Sequence, residues 1–486
     1  MRHPLDSKRS NLSYRASKTS RITPLRLGLG GSGDAHTKQR ELWEMREYAR
    51  MLDRDNVIAH AILDRSTEAV IGEGINVQIQ SSSKRWTEKA ERMWQQWWDQ
   101  GADARGMSRG WELEQFAYRS YKCDGDILIV KESNGTISLI EGDRIGTPPR
   151  LENNPNIHAG VEYNDVGKIT KFYICSDMID PKQRGKTCQN YTSRPAKDCL
   201  WLANRHRPSM TRGVTAFASS MQLYEDIDAF LESCIINAKM SVAHVLFITR
   251  ENGLADLDGT EEADDDFGNT RTEQTVSPGT ILYGKPGEKG SMVGSTQPMI
   301  NFSPFMKQLL RFAGVNFGLP LEVVALDFSD TNYSSARAAM QVADKSIKRN
   351  HKFMVDNFTS PLVRWKIEGW IREGKLPRPK FYKAQATPPR QISIDPNKEI
   401  QAEIAKTQSG FSTNKNVCSM LQQDYTDIFV QRSREIEDAL AMAVKIDPTG
   451  NKVSWKDFLG HAKDYDSALY QELEAEVKKE ETADAD

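Results

Sequence analysis

Two long segments of the chain carry apolar side chains at helical spacing, and they limit its fold more than any other feature. The first covers residues 214–245 and the second residues 334–373. Large apolar side chains recur every three or four positions in both, which predicts two long amphipathic helices. Pro361 predicts a kink in the second helix. The stripes consist of Phe217, Met221, Tyr224, Leu231, Ile235, Ala238 and Val242, and of Ala339, Ala343, Ile347, Met354, Phe358, Leu362 and Trp365.

The part before the first long helix combines helical and strand patterns. Helical spacing covers residues 36–71 and 84–98, and alternating apolar residues predict a strand at 75–80. The turn at 133–135 separates two apolar runs and predicts a β-hairpin, and a second strand pair flanks residues 164–167. The tryptophans in the 84–98 segment are expected to pack in a core, because they recur at helical spacing. The fold class is therefore predicted as α+β.

The charge balance limits how the chain can use nucleic acid. It has 65 Lys and Arg against 67 Asp and Glu, a formal net charge of −2. A protein that wraps DNA needs a clear excess of Lys and Arg, so any DNA contact here is expected to be local or weak. Residues 251–266 contain eight acidic side chains and no basic one. This insert is interpreted either as a docking patch for a basic partner or as a solvated loop.

Cysteine use and targeting signals predict a soluble protein made inside the cell. The six cysteines are scattered without a C-x-x-C pair, which is typical of reduced thiols. No apolar run approaches 18 residues, and no apolar segment follows the basic start of the chain as in a signal peptide. Residues 1–35 are basic and rich in Ser and Gly, and we expect a disordered arm there.

The sequence contains no recognisable catalytic or metal-binding motif. The eight histidines form neither H-E-x-x-H nor a Cys/His metal pattern, and no Walker A motif or G-x-S-x-G is present. Residues 125–132 resemble a nuclease strand superficially, but Ile129 occupies the position where a metal-binding carboxylate is required. We therefore expect no catalytic residues, metal or cofactor, and keep a DNA-processing nuclease as the alternative hypothesis.

Eight short motifs, in order along residues 40–440, resemble the lambda-type portal proteins of tailed bacteriophages. The most specific is Asn332-Tyr333-Ser334-Ser335-Ala336-Arg337-Ala338-Ala339. Two departures from the family pattern occur, at Ser209-Met210 and at Gln423. The supporting motifs are Asn56-Val57-Ile58-Ala59, Val70-Ile71-Gly72-Glu73-Gly74-Ile75, Glu141-Gly142-Asp143-Arg144-Ile145, His158-Ala159-Gly160-Val161-Glu162, Thr211-Arg212-Gly213-Val214, Pro278-Gly279-Thr280-Ile281 and Gly318-Leu319-Pro320-Leu321-Glu322.

The resemblance implies the portal fold, with an α/β wing, a helical stem, a small α/β clip, a tunnel loop, a long kinked helix and a helical crown. After the basic arm, it assigns the segments as 36–213 wing, 214–247 stem helix, 248–302 clip, 303–317 second stem helix, 318–333 tunnel loop, 334–394 long kinked helix and return to the wing, 395–445 crown and 446–486 C-terminal tail.

The resemblance also implies a non-enzymatic function in the virion. Copies of the chain would form a ring, usually a dodecamer, as the head–tail connector at one capsid vertex, through which the viral genome is packaged and ejected. The implied partners are other copies of the chain, double-stranded DNA, the large terminase subunit, the major capsid or scaffold protein and head–tail adaptor proteins, with assembly in the host cytoplasm and no membrane. The implied channel residues are Asp327, Phe328, Ser329, Asp330, Thr331 and Asn332, and the implied docking residues of the clip are Asp264, Asp265 and Asp266.

Simple geometry agrees with such a ring. Twelve helices about 10 Å wide, packed side by side, enclose a hole roughly 25–30 Å across, which admits duplex DNA. A near-neutral wall suits this role, because strong Lys or Arg contacts would slow the passing phosphate backbone. A related hypothesis is a scaffold or adaptor in a gene-transfer particle or a defective prophage.

Overall fold

The computed structural model of the chain divides into two units, Met1–Pro389 and Arg390–Asp486. It describes residues 33–36, 39–176, 188, 190–242, 246–248, 263–264, 270–271, 281–283, 302–329, 332–387, 396–420, 425 and 428–435. No helix in this described part is long and apolar enough to cross a membrane. The predicted disordered arm and acidic tail lie outside these ranges, except that Gly33–His36 forms a 3-10 turn. This turn is ordered because Asp34 accepts hydrogen bonds from the amide and hydroxyl of Thr211, at 2.6 and 2.7 Å.

The segment predicted as one helix over residues 36–71 forms two helices, α1 (Gln39–Asp55) and α2 (Val57–Val70). The break falls at Asn56, whose backbone is extended and whose Oδ1 accepts the amide of Ala59 at 2.8 Å. An Asn side chain caps a new helix in this way. Its Nδ2 donates to Asp228 at 2.7 Å, so the same residue ties this corner to the first long helix.

Antiparallel sheets among the helices confirm the α+β prediction. Strand β1 (Asn76–Ser81) pairs with β13 (Tyr382–Thr387), which returns from the end of the second long helix. The predicted hairpin is confirmed as β2 (Asp126–Lys131) and β3 (Ile137–Glu141), and β8 (Cys199–Ala203) pairs with the other edge of β2. A four-stranded sheet has the order β4, β5, β6, β7, formed by Ile157–His158, Val161–Tyr163, Ile169–Cys175 and Tyr191–Pro195.

The tryptophans of α3 (Lys84–Gln100) lie in the main core, as predicted from their spacing. Trp94 and Trp98 stack with ring centroids 5.2 Å apart, and Trp98 meets Phe358 edge to face at 6.4 Å. Helix α4 (Gly110–Cys123) packs beside α3 and contributes Leu113 and Tyr118 to the same core. Because Phe358 belongs to the second long helix, this core joins that helix to the α/β part.

The second long helix is continuous over residues 333–372 but changes its winding in the middle. It consists of α8 (Tyr333–Met354), a π-helical turn at Val355–Thr359 and α9 (Ser360–Arg372). Pro361 lies in the first turn of α9 and has no backbone N–H to donate. The wider π turn accommodates the missing donor, and Asn357 Nδ2 donates to the carbonyl of Phe353 at 2.8 Å. The predicted irregularity is therefore present just before the proline.

The predicted boundaries of the two stem helices and the tunnel loop need correction. The first long helix, α5, covers Met221–Val242 and not 214–247, because residues 214–220 bond elsewhere: Ala216 N donates to the carbonyl of Lys122 at 2.8 Å. The predicted 303–317 helix is α6, Phe302–Val315, and the chain turns through Gly318 at φ 69°. The predicted loop 318–333 contains a short helix, α7 (Leu321–Ala325).

The segment between α5 and α6 is described only as short strands. They are β9 (Leu246–Ile248), which pairs in parallel with β12 (Ile281–Tyr283), and β10 (Ala263–Asp264), which pairs antiparallel with β11 (Thr270–Arg271).

The expectation that all six cysteines are reduced is wrong for one pair. Cys175 and Cys188 form a disulfide with Cα atoms 6.0 Å apart, because β6 and the residues before β7 bring them together.

The second unit is helical where it is described. It contains α10 (Pro396–Gln408) and α11 (Asn414–Met420), followed by helical residues at 428–435. Lys406 pairs with Glu403 one turn earlier, at 2.6 Å. Several large apolar side chains are exposed here, namely Ile400, Ile404, Phe411, Phe429 and Val430.

Candidate functional site

The predicted channel loop follows α7, and its first residues turn sharply. Leu326 ends the helix in the left-handed region, with φ 51° and ψ 33°, and its side chain is 65% exposed. Phe328 is 52% exposed. The loop therefore presents two large apolar side chains that are largely exposed to solvent.

Asp327 is held in place and ionised. Its Oδ1 accepts the hydroxyl of Ser329 at 2.5 Å and the amide of Ser329 at 3.0 Å, and its Oδ2 lies 3.2 Å from Lys307 Nζ on α6. The hydrogen bonds from Ser329, together with that from Lys307, lower the pKa of Asp327 to about 2. The loop therefore carries a fixed negative charge at neutral pH, partly compensated by Lys307.

Asn332 has a structural role that the sequence prediction did not include. Its Oδ1 accepts the amide of Ser335 at 2.8 Å and caps the N-terminus of α8. Ser335 in turn donates its hydroxyl to the Asn332 carbonyl at 3.0 Å. The two other predicted channel residues, Asp330 and Thr331, lie outside the described residues.

A buried ion cluster joins the α/β sheets to the start of α5. Arg212 is completely buried, and its guanidinium donates to both carboxylate oxygens of Asp126, at 2.6 and 3.0 Å. Arg46 on α1 donates to the same carboxylate at 2.7 Å. The remaining donors of Arg212 are satisfied by carbonyls, at distances of 2.6 to 3.0 Å, of Gly142, Ile145 and Ala159.

The charges in this cluster support one another. Burial opposes ionisation of Asp126, but the charges of Arg212 and Arg46 outweigh it, and the pKa of Asp126 lies below its usual value. Burial, together with the neighbouring Arg212, lowers the pKa of Arg46 to about 10 even though Asp126 raises it. Asp126 and Arg46 are therefore charged at neutral pH, and Asp126 depends on both arginines for stabilisation.

Close backbone packing surrounds the cluster. A Cβ at Gly142 would overlap the Asp126 carboxylate, and a Cβ at Gly213 would overlap the carbonyl of Gly125. Gly213 N also donates to Asp126 at 3.0 Å, so the residues leading into α5 are fixed against β2. Sequence reasoning missed this role. The signal available was that three of the quoted motifs contain Gly142, Ala159 and Arg212.

A second buried carboxyl lies where α4 meets the π turn. Glu114 is completely buried, and its two oxygens bond to the amide of Ile75 at 2.8 Å and the hydroxyl of Thr359 at 2.9 Å. Burial raises the pKa of Glu114 to about 8, against these hydrogen bonds, which lower it. The side chain is therefore mostly protonated at neutral pH, and it links β1 to the middle of the second long helix.

An open cleft of about 520 Å³ runs along the exposed side of α2. Of its carboxylates, Asp64 is paired with Arg119 and lies 3.1 Å from His60, and the same Arg and His lie 2.5 and 3.0 Å from the neighbouring Asp53. This is the pattern of a surface ion-pair network. Leu326 contributes to the cleft, which is lined by Arg54, Asp55, Asn56, Val57, His60, Ala61, Asp64, Arg65, Glu68 and Leu326.

The predicted docking residues are described only in part. Asp264 belongs to β10, whereas Asp265 and Asp266 lie outside the described residues. Within the part of the chain that the structure describes, no group of three or more His, Cys, Asp and Glu side chains is arranged to hold a metal ion.

Curated proteins with similar sequences are phage portal proteins. The portal protein of Escherichia phage N15 is 22% identical over 330 residues, which cover 61% of this chain and 62% of that protein. Portal protein B of Escherichia phage lambda is 22% identical over 340 residues, which cover 63% of each. The chain thus spans somewhat less than two thirds of the length of these relatives.

Two of the solved structures to which the chain is similar come from gene transfer agent particles. A chain from the virion of a native particle has a TM-score of 0.44 and 12% identity, over 82% of this chain and 96% of that one. A chain from the neck of a native particle, computed with C12 symmetry, has a TM-score of 0.42 and 11% identity, over 78% and 94%.

The model of one protein family, described as phage portal protein, lambda family, matches residues 28–350, about two thirds of the chain. This range includes the loop, the buried ion cluster, both helices that flank the acidic insert and most of α8. The resemblance inferred from the short motifs is confirmed, and the chain belongs to the lambda family of phage portal proteins.

Proposed function

We propose that the chain is a ring-forming subunit, with twelve copies in the ring, that builds the DNA channel at one vertex of a phage capsid or a related particle. The α/β part up to residue 213, together with β13, would form the wing. Helices α5 and α6 would form the stem, and the strands between them the clip. The loop after α7 would face the channel, and the helices after residue 395 would form the crown. Membership of the portal family supports this assignment.

The exposed apolar side chains of α5 and α6 carry the ring proposal. Ile235 and Ile236 on α5 are about half exposed, as are Phe305 and Phe312 on α6, and Val315 is 66% exposed. Monomeric proteins rarely expose large apolar patches, because burial in an interface is favourable. Copies of the chain arranged side by side would cover these faces of α5 and α6.

The loop residues Asp327 to Asn332 are proposed to face DNA. A negative charge on Asp327 that Lys307 partly compensates would avoid strong binding of the phosphate backbone. Exposed Phe328 and Ser329 offer contacts that do not depend on base sequence. Such a wall would let duplex DNA slide in either direction, which suits both packaging and ejection.

The acidic insert of the clip is proposed as the docking surface for the large terminase subunit and later for head–tail adaptor proteins. Its charge supports this proposal, since eight acidic residues between 251 and 266 would attract a basic partner. The wing or crown would contact the major capsid or scaffold protein. Assembly would take place in the host cytoplasm, and the mature location would be the portal vertex of the particle.

Replacing residues 327–331 with a Gly/Ser segment of equal length tests the channel proposal. We expect rings of normal size, because the cap at Asn332 and the helices remain, but a severalfold loss of DNA per particle. Ring size is measured by negative-stain microscopy, and DNA by quantitative amplification from nuclease-treated particles. A matched Gly/Ser replacement of the exposed turn 164–167 should leave both unchanged. Loss of rings in the loop variant alone would show that the loop is an assembly element and not a channel surface.

A direct assay separates the portal proposal from the nuclease alternative. The purified chain is incubated with linear duplex DNA and Mg²⁺ or Mn²⁺, and the DNA is examined by gel electrophoresis. We expect intact DNA and ring-shaped particles. Cleavage by a monomeric chain that depends on the divalent ion would favour the nuclease and contradict the portal proposal.

A further inference from the structure

Two helices of equal length carry opposite charge. Helix α5 has 22 residues with four acidic side chains and one basic, a net charge of −3. Helix α8 also has 22 residues, with five Lys and Arg side chains and one Asp, a net charge of +4. The charged residues are Glu225, Asp226, Asp228, Glu232 and Lys239 on α5, and Arg337, Asp344, Lys345, Lys348, Arg349 and Lys352 on α8.

The positive charges of α8 lie mostly on one exposed stripe. Arg337, Lys345, Lys348 and Lys352 are separated by eight, three and four residues, which places them on one side of a helix. The side chains of Lys348 and Lys352 are 69% and 78% exposed, although each pairs with an Asp on the same helical segment. Arg337 and Lys345 are also exposed. The buried side of α8 faces the core, so the stripe points away from it.

The negative charges of α5 lie beside α1 and on the surface next to it. Glu225 accepts a hydrogen bond from Tyr48 on α1, and Asp228 accepts one from Asn56, which caps α2, so these two carboxylates mark the edge where α5 meets the corner between α1 and α2. Asp226 and Glu232 are exposed. The buried face of α5, with Tyr224 in its centre, packs against α1 and α6.

Helices α5 and α8 belong to different parts of the helix packing and are linked through the α1–α2 pair. α5 packs on α1, α1 packs on α2, and α2 packs on α8. The α1–α2 pair therefore contacts both the acidic helix and the basic helix. A closed ring is built from head-to-tail contacts, in which one surface of a subunit meets a different surface of the next. Opposite charge on two different exposed surfaces suits such a contact.

We propose that the acidic flank of α5 in one subunit contacts the basic stripe of α8 in the next subunit of the ring. The partner is a second copy of this chain, and the inference rests on the ring proposed above. The contact would fix the direction in which subunits add, because like flanks repel each other while unlike flanks attract. It would complement the apolar faces of α5 and α6, which supply area but little orientation.

Charge exchange tests this contact. The variant Arg337→Glu/Lys345→Glu reverses the basic stripe, and Asp226→Lys/Glu232→Lys reverses the acidic flank. We expect each variant alone to raise the protein concentration needed for half-assembly by about tenfold or more, which is the effect expected from losing a close charge pair in an interface. Combining all four substitutions is expected to restore most of the assembly, since the opposite charges again face each other. Assembly is followed by mass photometry at two salt concentrations.

Two control variants and a DNA-binding assay distinguish the possible outcomes of this test. Arg150→Glu/Lys168→Glu and Glu152→Lys/Asp165→Lys reverse equally exposed charges elsewhere and are expected to leave assembly unchanged. Circular dichroism checks that every variant is folded. Normal assembly of both test variants, or no recovery in the combination, would overturn the proposed contact while the ring stands. Normal rings that bind a short DNA duplex more weakly when α8 is reversed would assign the stripe to DNA instead. If the wild-type chain forms no rings, both the contact and the proposed function are wrong.

Discussion

Replacing Asp126 with Asn is expected to lower the free energy of unfolding by about 3–5 kcal/mol, the usual effect of removing one partner from a buried ion pair. The substitution keeps the shape of the side chain but removes the charge that stabilises Arg212 and Arg46, whose side chains are 1% and 5% exposed. Chemical denaturation followed by circular dichroism measures the change. A marginal domain would lose much of its soluble yield as well.

A matched substitution shows that the effect depends on burial. Glu132→Gln removes a carboxylate that pairs with Arg194 at 3.3 Å, where the Arg side chain is 42% exposed. Its expected cost is no more than about 1 kcal/mol, because water screens an exposed pair. Equal effects of Asp126→Asn and Glu132→Gln would contradict the assignment of Asp126 as the centre of a buried cluster.

Replacing Glu114 with Gln is expected to change how stability depends on pH. The pKa of Glu114 is about 8 in the folded chain against an ordinary value of 4.5. At a pH between these values the unfolded chain releases the proton, whereas the folded chain keeps it. The free energy of unfolding of the wild type therefore falls as pH rises, and the contribution of Glu114 to it is lost above about pH 8. Each unit by which the pKa differs between the folded and unfolded chain corresponds to about 1.4 kcal/mol of stability. Gln retains hydrogen-bonding groups for Ile75 and Thr359 but does not titrate.

The measurement compares urea denaturation of Glu114→Gln and the wild-type chain at pH 5.5 and pH 8. Between pH 5.5 and pH 8 we expect the free energy of unfolding of the variant to rise by roughly 3 kcal/mol relative to that of the wild type, from the slope per pH unit. Other titrating groups cancel, because both proteins contain them. Glu88→Gln, at an exposed position on α3, is the control and should follow the wild type. Parallel curves for Glu114→Gln and wild type would show that Glu114 ionises normally.

Much of the local structure follows from periodicity in the sequence. The hairpin of β2 and β3, the tryptophan-bearing α3 and the extent of the second long helix were all predicted from spacing and turn residues. These features depend on near neighbours in the chain, which a sequence displays directly. The family could be recognised from short motifs for a similar reason, since their order along the chain is visible without any structure.

The features that sequence reasoning missed depend on distant contacts. Apolar spacing continues across Asn56, and the helix breaks there because the side chain caps α2 and also meets Asp228. Arg212 lies in a loop-like segment, and only the fold brings it to Asp126, 86 residues earlier. The apolar spacing at Phe217 suggested helix, yet the backbone just before it bonds to Lys122. The pairing of Cys175 with Cys188 likewise depends on where β6 and β7 place them.

Native mass spectrometry of the purified wild-type chain is the decisive measurement, because every functional proposal requires copies of the chain to close around an axis. We expect one dominant species at a whole-number multiple of the 55.0 kDa chain, with twelve copies the predicted number, and a central hole in negative stain. A chain that stays monomeric, compact and stable at high concentration and under assembly conditions would contradict the account.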